Sequence, residues 1–236
     1  MSIGLAFTNN STPLDPIKRA TGTLVHLRDR DVVLTCGHVH RELLAMKKPH
    51  ADARMVGYIM NEASALLAQL NGFQFIDWDL KSLDVAVYGG TEKELYLPGM
   101  KFIDYERSYL CDPQPGEAVA IVGYPGDNIA IDEVKADFGY TYMVLEVSSV
   151  SERQIKMAHE KRTRSFDHYT RPGCQSIPLG GLSGSPAFVI RDQIPRFVGI
   201  VTDCSDAERV VDSTIIVSRL GCLNTDGTLD HTAIAW

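Results

Sequence analysis

Residues 180–201 read GGLSGSPAFVIRDQIPRFVGIV. Two short runs stand in this stretch, 186–190 and 197–201, both rich in Val, Ile and Phe. Branched and aromatic side chains fit a pleated, half-buried surface, so each run predicts a strand. Asp192 and Pro195 interrupt the apolar residues between them, as turn residues do. The same texture recurs outward at 23–27, 31–35, 83–88, 118–122, 143–147 and 214–217. Many short strands without alternating long helices predict an all-β barrel or sandwich and argue against a parallel α/β sheet.

Two segments break this texture. Residues 41–47 (RELLAMK) and 60–70 (MNEASALLAQL) carry strong helix formers at helical spacing, and both are expected to be helical. Residues 103–115, with DYERSYLCDPQP inside them, read as a link between two lobes. Residues 153–171 are locally basic, through Arg153, Lys156, Lys161, Arg162, Arg164 and Arg171, and read as a solvated loop.

Composition narrows the function classes. Of 236 residues, 44% are apolar and 22% charged, the balance of a globular chain rather than a disordered one. A net charge of −7 argues against a nucleic-acid or anionic-membrane partner, because phosphate binding needs clustered Lys and Arg. No run approaches the length of a membrane span, and the N-terminal residues do not read as a signal peptide. The five cysteines, Cys36, Cys111, Cys174, Cys204 and Cys222, form no disulfide-framework spacing. Reduced thiols in a cytoplasmic protein are the expectation.

Three residues carry the chemistry. Ser183 lies in the Gly180–Pro186 turn, GGLSGSP, where glycines permit the tight backbone that aims N–H groups at a developing oxyanion. A serine hydroxyl needs a base to become a nucleophile. His38, in LTCGHV at the end of an apolar strand, titrates near neutrality and suits that task. Asp84 opens the apolar run DVAV, where a carboxylate must be paired to be tolerated. Orienting a histidine would pair it, although Asp77 and Asp79 in FIDWDLK are rivals. A further reading is metallic. Cys36, His38 and His40 alternate, so on a strand they would share one face and offer three zinc ligands. The spacing is tight and no second cluster follows, so no metal and no cofactor are expected.

Together these motifs resemble the trypsin-like serine peptidases of the chymotrypsin fold. TCGHV is similar to the family's T-A-A-H-C, LDVAV to D-[IL]-A-[LV], and GLSGSP to G-D-S-G-[GS]-P, in the same order. GEAVAIVGYP at 116–125 resembles the strand that opens the second barrel, and FVGIVT at 197–202 the strand that pairs with substrate. The resemblance covers roughly residues 20–220. It implies two six-stranded antiparallel β-barrels, the first over about 15–105 and the second over about 106–225, with the site in the cleft between them. It also implies a serine endopeptidase acting on protein or peptide substrates through an acyl-enzyme. Ser183 would attack, His38 would act as general base and then acid, and Asp84 would hold the His38 tautomer. The N–H groups of Gly181 and Ser183 would form the oxyanion hole, and residues 201–203 would offer backbone to an extended substrate.

The departures are informative. Leu182 replaces the family's Asp, so the ion pair with a newly cleaved N-terminus is excluded, and an activating partner or ligand is an expected alternative. Val39 stands where secreted animal members have Cys. Ile177 stands where Arg/Lys-cutting members carry a carboxylate, so a buried cationic side chain would go uncompensated there. Thr202, Asp203 and Cys204 complete the expected substrate-binding set with Ile177. A non-enzymatic binding module on a protease-like fold is the alternative function.

Overall fold

Among the described residues, eight strands and two helices precede residue 110, and the computed structural model pairs the strands in one sheet. It describes residues 2–8, 18–47, 54–60, 65–69, 73–90, 101–109, 112–124, 129–131, 136–138, 141–159, 165–166, 181–204 and 213–234. In the first half these are β1 (Ser2–Thr8), β2 (Lys18–His26), β3 (Asp31–Cys36), α1 (Gly37–Lys47), β4 (Arg54–Met60), β5 (Ala65–Gln69), β6 (Gln74–Asp79), β7 (Val85–Gly89), β8 (Ile103–Asp104) and α2 (Tyr105–Ser108). The strand order is β5-β4-β1-β2-β3-β7-β6, with β8 added parallel to β2.

The second half contains β9 (Ala118–Gly123), β10 (Ile129–Ile131), β11 (Ala136–Phe138), β12 (Thr141–Val150), β13 (Gln154–His159), β14 (Ser165–Phe166), β15 (Pro186–Arg191), β16 (Ile194–Cys204), β17 (Ser213–Arg219) and α3 (His231–Ile234). Here the order β13-β17-β16-β15-β9-β12 returns to β13, which closes a six-stranded antiparallel barrel. The all-β expectation and one closed barrel are therefore met. In the first half, β5 and β6 stand at the two ends of the order, and among the described residues no pairing joins them. No helix among the described residues is long and apolar enough to cross a membrane.

Alternation along the strands sorts side chains into three cores. Val33, Cys36, Ala86 and Tyr88 face a core inside the first sheet, with Val39 and Leu43 of α1. Val32, Leu34, Val85 and Val87 point the other way and meet Phe197, Ile200, Leu220 and Leu229 of the second half. β3 and β7 are consequently buried on both faces, which explains their unbroken apolar sequence. The third core fills the closed barrel, with Val119, Met143, Ile155, Val189 and Val217.

Local expectations divide. The 41–47 helix forms, but α1 begins earlier, at Gly37. His38 and His40 therefore sit on a helix, where residues two apart point in nearly opposite directions. The strand-face alternation of Cys36, His38 and His40 does not occur. The helix expected over 60–70 is also overturned. Met60 ends β4 and residues 65–69 form β5, paired from Met60↔Ala65 to Val56↔Gln69. Helix preference is worth at most about 0.7 kcal/mol per residue, and strand pairing across the sheet overrides it. The run expected from 83 starts two residues late, at Val85, because Asp84 has φ 54°. The 103–115 link begins with β8 and α2, whose first turn is capped by Asp104 accepting from the Arg107 N–H at 3.1 Å. Of the basic stretch, Lys156 is exposed on β13, whereas Lys161, Arg162, Arg164 and Arg171 lie outside the described residues.

Candidate active site

Asp84 is delivered by a turn that Asp79 builds. The Asp79 carboxylate accepts the N–H groups of Ser82 at 2.7 Å and Leu83 at 2.6 Å. Asp84 then adopts a left-handed backbone, uncommon for a residue with a Cβ. That conformation brings three of its oxygens onto the start of α1. Its carbonyl accepts the Gly37 N–H at 2.9 Å, Oδ1 accepts the His38 N–H at 2.8 Å, and Oδ2 meets His38 Nδ1 at 2.5 Å. The carboxylate thus satisfies an N–H that the first helical turn leaves open. A Cβ at Gly37 would lie 3.0 Å from Asp84 Oδ1 and 3.2 Å from the Asp79 carbonyl, so glycine permits the approach.

The His38 and Asp84 side chains are 32% and 25% exposed, so the pair opens to solvent on one side. The hydrogen bond to Asp84 raises the His38 pKa above its ordinary value, against the lowering effect of burial. With Nδ1–H given to Asp84, the neutral ring presents Nε2 as an acceptor. The rival acids have other work. Asp77 accepts the Leu229 N–H at 2.9 Å and pairs with His231 at 3.0 Å.

His40 lies elsewhere. It stacks on Phe75 with ring centroids 4.3 Å apart, turns edges to Trp78 and Tyr88, and hydrogen-bonds through Nδ1 to the Tyr88 hydroxyl. Burial lowers its pKa. It fastens α1 to the sheet and takes no part in the pair.

Ser183 sits half-buried in a loop tied down from three directions. Leu182 is fully buried in the barrel core, which accounts for an apolar residue at that position. Gly184 has φ 92°, and a Cβ there would come within 2.0 Å of the Thr21 carbonyl oxygen. From the first half, Thr21 N–H donates to the Ser183 carbonyl at 3.0 Å and Thr21 Oγ1 to the Gly181 carbonyl at 2.7 Å. Thr23 Oγ1 donates to the Gly184 carbonyl at 2.7 Å. Gly181 has φ 91°. Among the described residues, the N–H groups of Gly181 and Ser183 donate to no acceptor.

β16 joins the two parts of the site. The Val201 carbonyl accepts both the Gly184 N–H at 2.7 Å and the Cys36 thiol at 3.1 Å. It therefore links the residue after Ser183 to the residue two before His38. Thr202 Oγ1 lies 3.0 Å from Ser218 Oγ, whose hydroxyl donates to the Leu83 carbonyl, next to Asp84. Among the described residues, no hydrogen bond joins Ser183 Oγ to His38.

The expected substrate-binding residues separate. Ile177 lies outside the described residues. Thr202 is buried, its hydroxyl held by Ser218, and it is the bulged residue between the Val201↔Val217 and Asp203↔Ile216 pairs. Asp203 is exposed, and Cys204 continues the strand by pairing with Ile215. Pairing of β15 with β16 stops at Pro186↔Ile200, so beyond Val201 one edge of β16 has no strand partner among the described residues.

Sequence reasoning missed Thr21, Thr23, Thr35 and the bond from Cys36 to the Val201 carbonyl. All three threonines are fully buried, and Thr35 Oγ1 donates to the Thr21 carbonyl at 3.0 Å. Threonines two apart in an apolar run were the available signal. The ligand atoms of Cys36, His38 and Asp84 lie within 4.8 Å of one another. No protein-family model and no curated protein matches this sequence.

Proposed function

We propose that the chain is a serine endopeptidase of the trypsin-like kind, with Ser183 as nucleophile, His38 as general base and acid, and Asp84 as the group that orients His38. The observation that carries this reading is the two-point hold of Asp84 on His38, through the backbone N–H and Nδ1. Such a hold fixes the tautomer that leaves Nε2 to take a serine proton. The Ser183 loop is fixed by the first half of the protein, through Thr21 and Thr23. The N–H groups of Gly181 and Ser183 would stabilise the oxyanion. The edge of β16 after Val201, open among the described residues, suits an extended peptide adding one strand.

In this reading the first sheet curls into a second barrel, and the enzyme is a regulated cytoplasmic peptidase needing no cofactor. Cys222, which stands in no disulfide among the described residues, agrees with a reducing compartment. The test is a fluorophosphonate probe read by intact mass on wild type and Ser183→Ala. Labelling of wild type alone is expected, and equal labelling of Ser183→Ala sinks the assignment. The unmade bond between Ser183 and His38 favours a second reading, a binding module on a protease-like fold. Peptide binding by a wild-type protein that resists the probe would support it.

A further inference from the structure

The residues around His38 can hold something besides a substrate. Cys36 is wholly buried directly beneath the His38–Asp84 pair, and the three side chains offer a sulfur, a ring nitrogen and a carboxylate oxygen within 4.8 Å of one another. We propose that Cys36, His38 and Asp84 form a site for one thiophilic divalent cation of the zinc class, and that the ion switches the serine centre off. The switching half rests on Ser183 being the nucleophile; the binding half does not.

Donors around a tetrahedral zinc ion lie about 3.3–3.8 Å apart, so the observed spread needs side-chain shifts of only about 1 Å. One thiolate, one imidazole and one carboxylate match the ligands zinc takes, and a water would complete four-coordination. The ion would enter on the solvent side of His38 and Asp84, the only partly exposed members of the three. Binding releases the Cys36 thiol proton to solvent. The Val201 carbonyl, which accepts that proton in the metal-free protein, keeps its bond from Gly184 and is not orphaned.

Inhibition follows from the imidazole alone. Ligation at Nε2 occupies the lone pair that would take the serine proton. Ligation at Nδ1 moves the ring proton to Nε2, with the same result. Either way His38 stops being a base while the metal is bound.

The experiment is a cadmium titration of chelator-treated protein, followed by the thiolate-to-cadmium absorption in the ultraviolet, with zinc added as competitor. Wild type and Ser183→Ala should each bind one ion with thiolate absorption, and zinc should abolish it. Cys36→Ser keeps a donor for Val201, and should lose the absorption and bind at least tenfold more weakly. If that variant does not fold, His38→Gln serves, with the same tenfold loss. Absorption that persists in Cys36→Ser places the metal on another cysteine and overturns the site, as does its absence in wild type. Fluorophosphonate labelling should slow at least tenfold with metal bound, and an unchanged rate overturns the switch. A metal-free wild type that never labels sinks the peptidase reading, and the absorption in Ser183→Ala still tests the site.

Discussion

Asp84 concentrates the residue-scale argument. Its left-handed backbone costs free energy, and the return is a carboxylate and a carbonyl that together hold the first two N–H groups of α1 and the His38 ring. Asp84→Asn keeps the shape and removes the charge. Its amide offers the ring a donor where the carboxylate offered an acceptor, which favours the wrong tautomer. Probe labelling should fall by roughly ten-thousandfold at neutral pH, by analogy with other triads. The pH dependence carries a sign. The His38 pKa is raised, chiefly by the hydrogen bond to Asp84. Metal-free wild type should therefore lose labelling as pH falls through a value above that of ordinary imidazole. The residual rate of Asp84→Asn should persist to lower pH, and rate profiles of the two proteins check this. The His38–Asp84 pairing was legible because both are chemically costly residues set in an apolar frame, and Ser183 is proposed from its glycine-rich frame. The φ of Asp84 was not legible, since it follows from the Asp79 turn and the position of α1.

At the scale of elements, β2 decides the geometry of the serine loop. Thr21 uses every polar atom it has. Its N–H and hydroxyl donate to Ser183 and Gly181, its carbonyl accepts from Thr35, and its hydroxyl accepts the Tyr124 N–H at 3.0 Å. Thr21→Val would leave the Gly181 carbonyl and the Tyr124 N–H without that partner, at a cost of about 1–3 kcal/mol each. It should slow peptide turnover through kcat, with little change in KM, because it misaligns the loop without touching substrate. Thr21→Ser should restore the rate. A steady-state comparison of the three proteins decides, and a Thr21→Val variant with wild-type kcat would remove β2 from the mechanism. Most strands could be read because branched and aromatic runs have few alternatives. The 60–70 stretch misled because its Ala and Leu spacing suits a helix, and nothing in that spacing shows that 65–69 folds back on β4 as a hairpin. The threonines of β2 were passed over for a related reason: a hydroxyl in a strand reveals its role only once the loop it holds, some 160 residues later, is in place.

For the molecule as a whole, the question is what keeps the two halves in register, since the site draws on both. Phe197, Ile200, Leu220 and Leu229 fill the core they share with β3 and β7. The chain after β17 returns to the first half and is clasped there by Asp77, which accepts the Leu229 N–H and pairs with His231 on α3. Burial pushes the Asp77 pKa upward, but hydrogen bonds from Leu229, His231 and Trp78 outweigh it and leave the carboxyl below its ordinary value. A carboxylate with a depressed folded-state pKa contributes stability above the unfolded value, and that contribution is lost as pH falls through the folded one. The clasp should therefore be intact at neutral pH and weaken below about pH 4. Asp77→Asn should cost roughly 1.5–3 kcal/mol at pH 7, the range for a hydrogen bond to a charged group. Denaturant unfolding at pH 7 and at successively lower pH checks this. The difference between wild type and variant should shrink as the pH drops, and a difference that stays constant would mean that the charge of Asp77 does not hold the C-terminal segment.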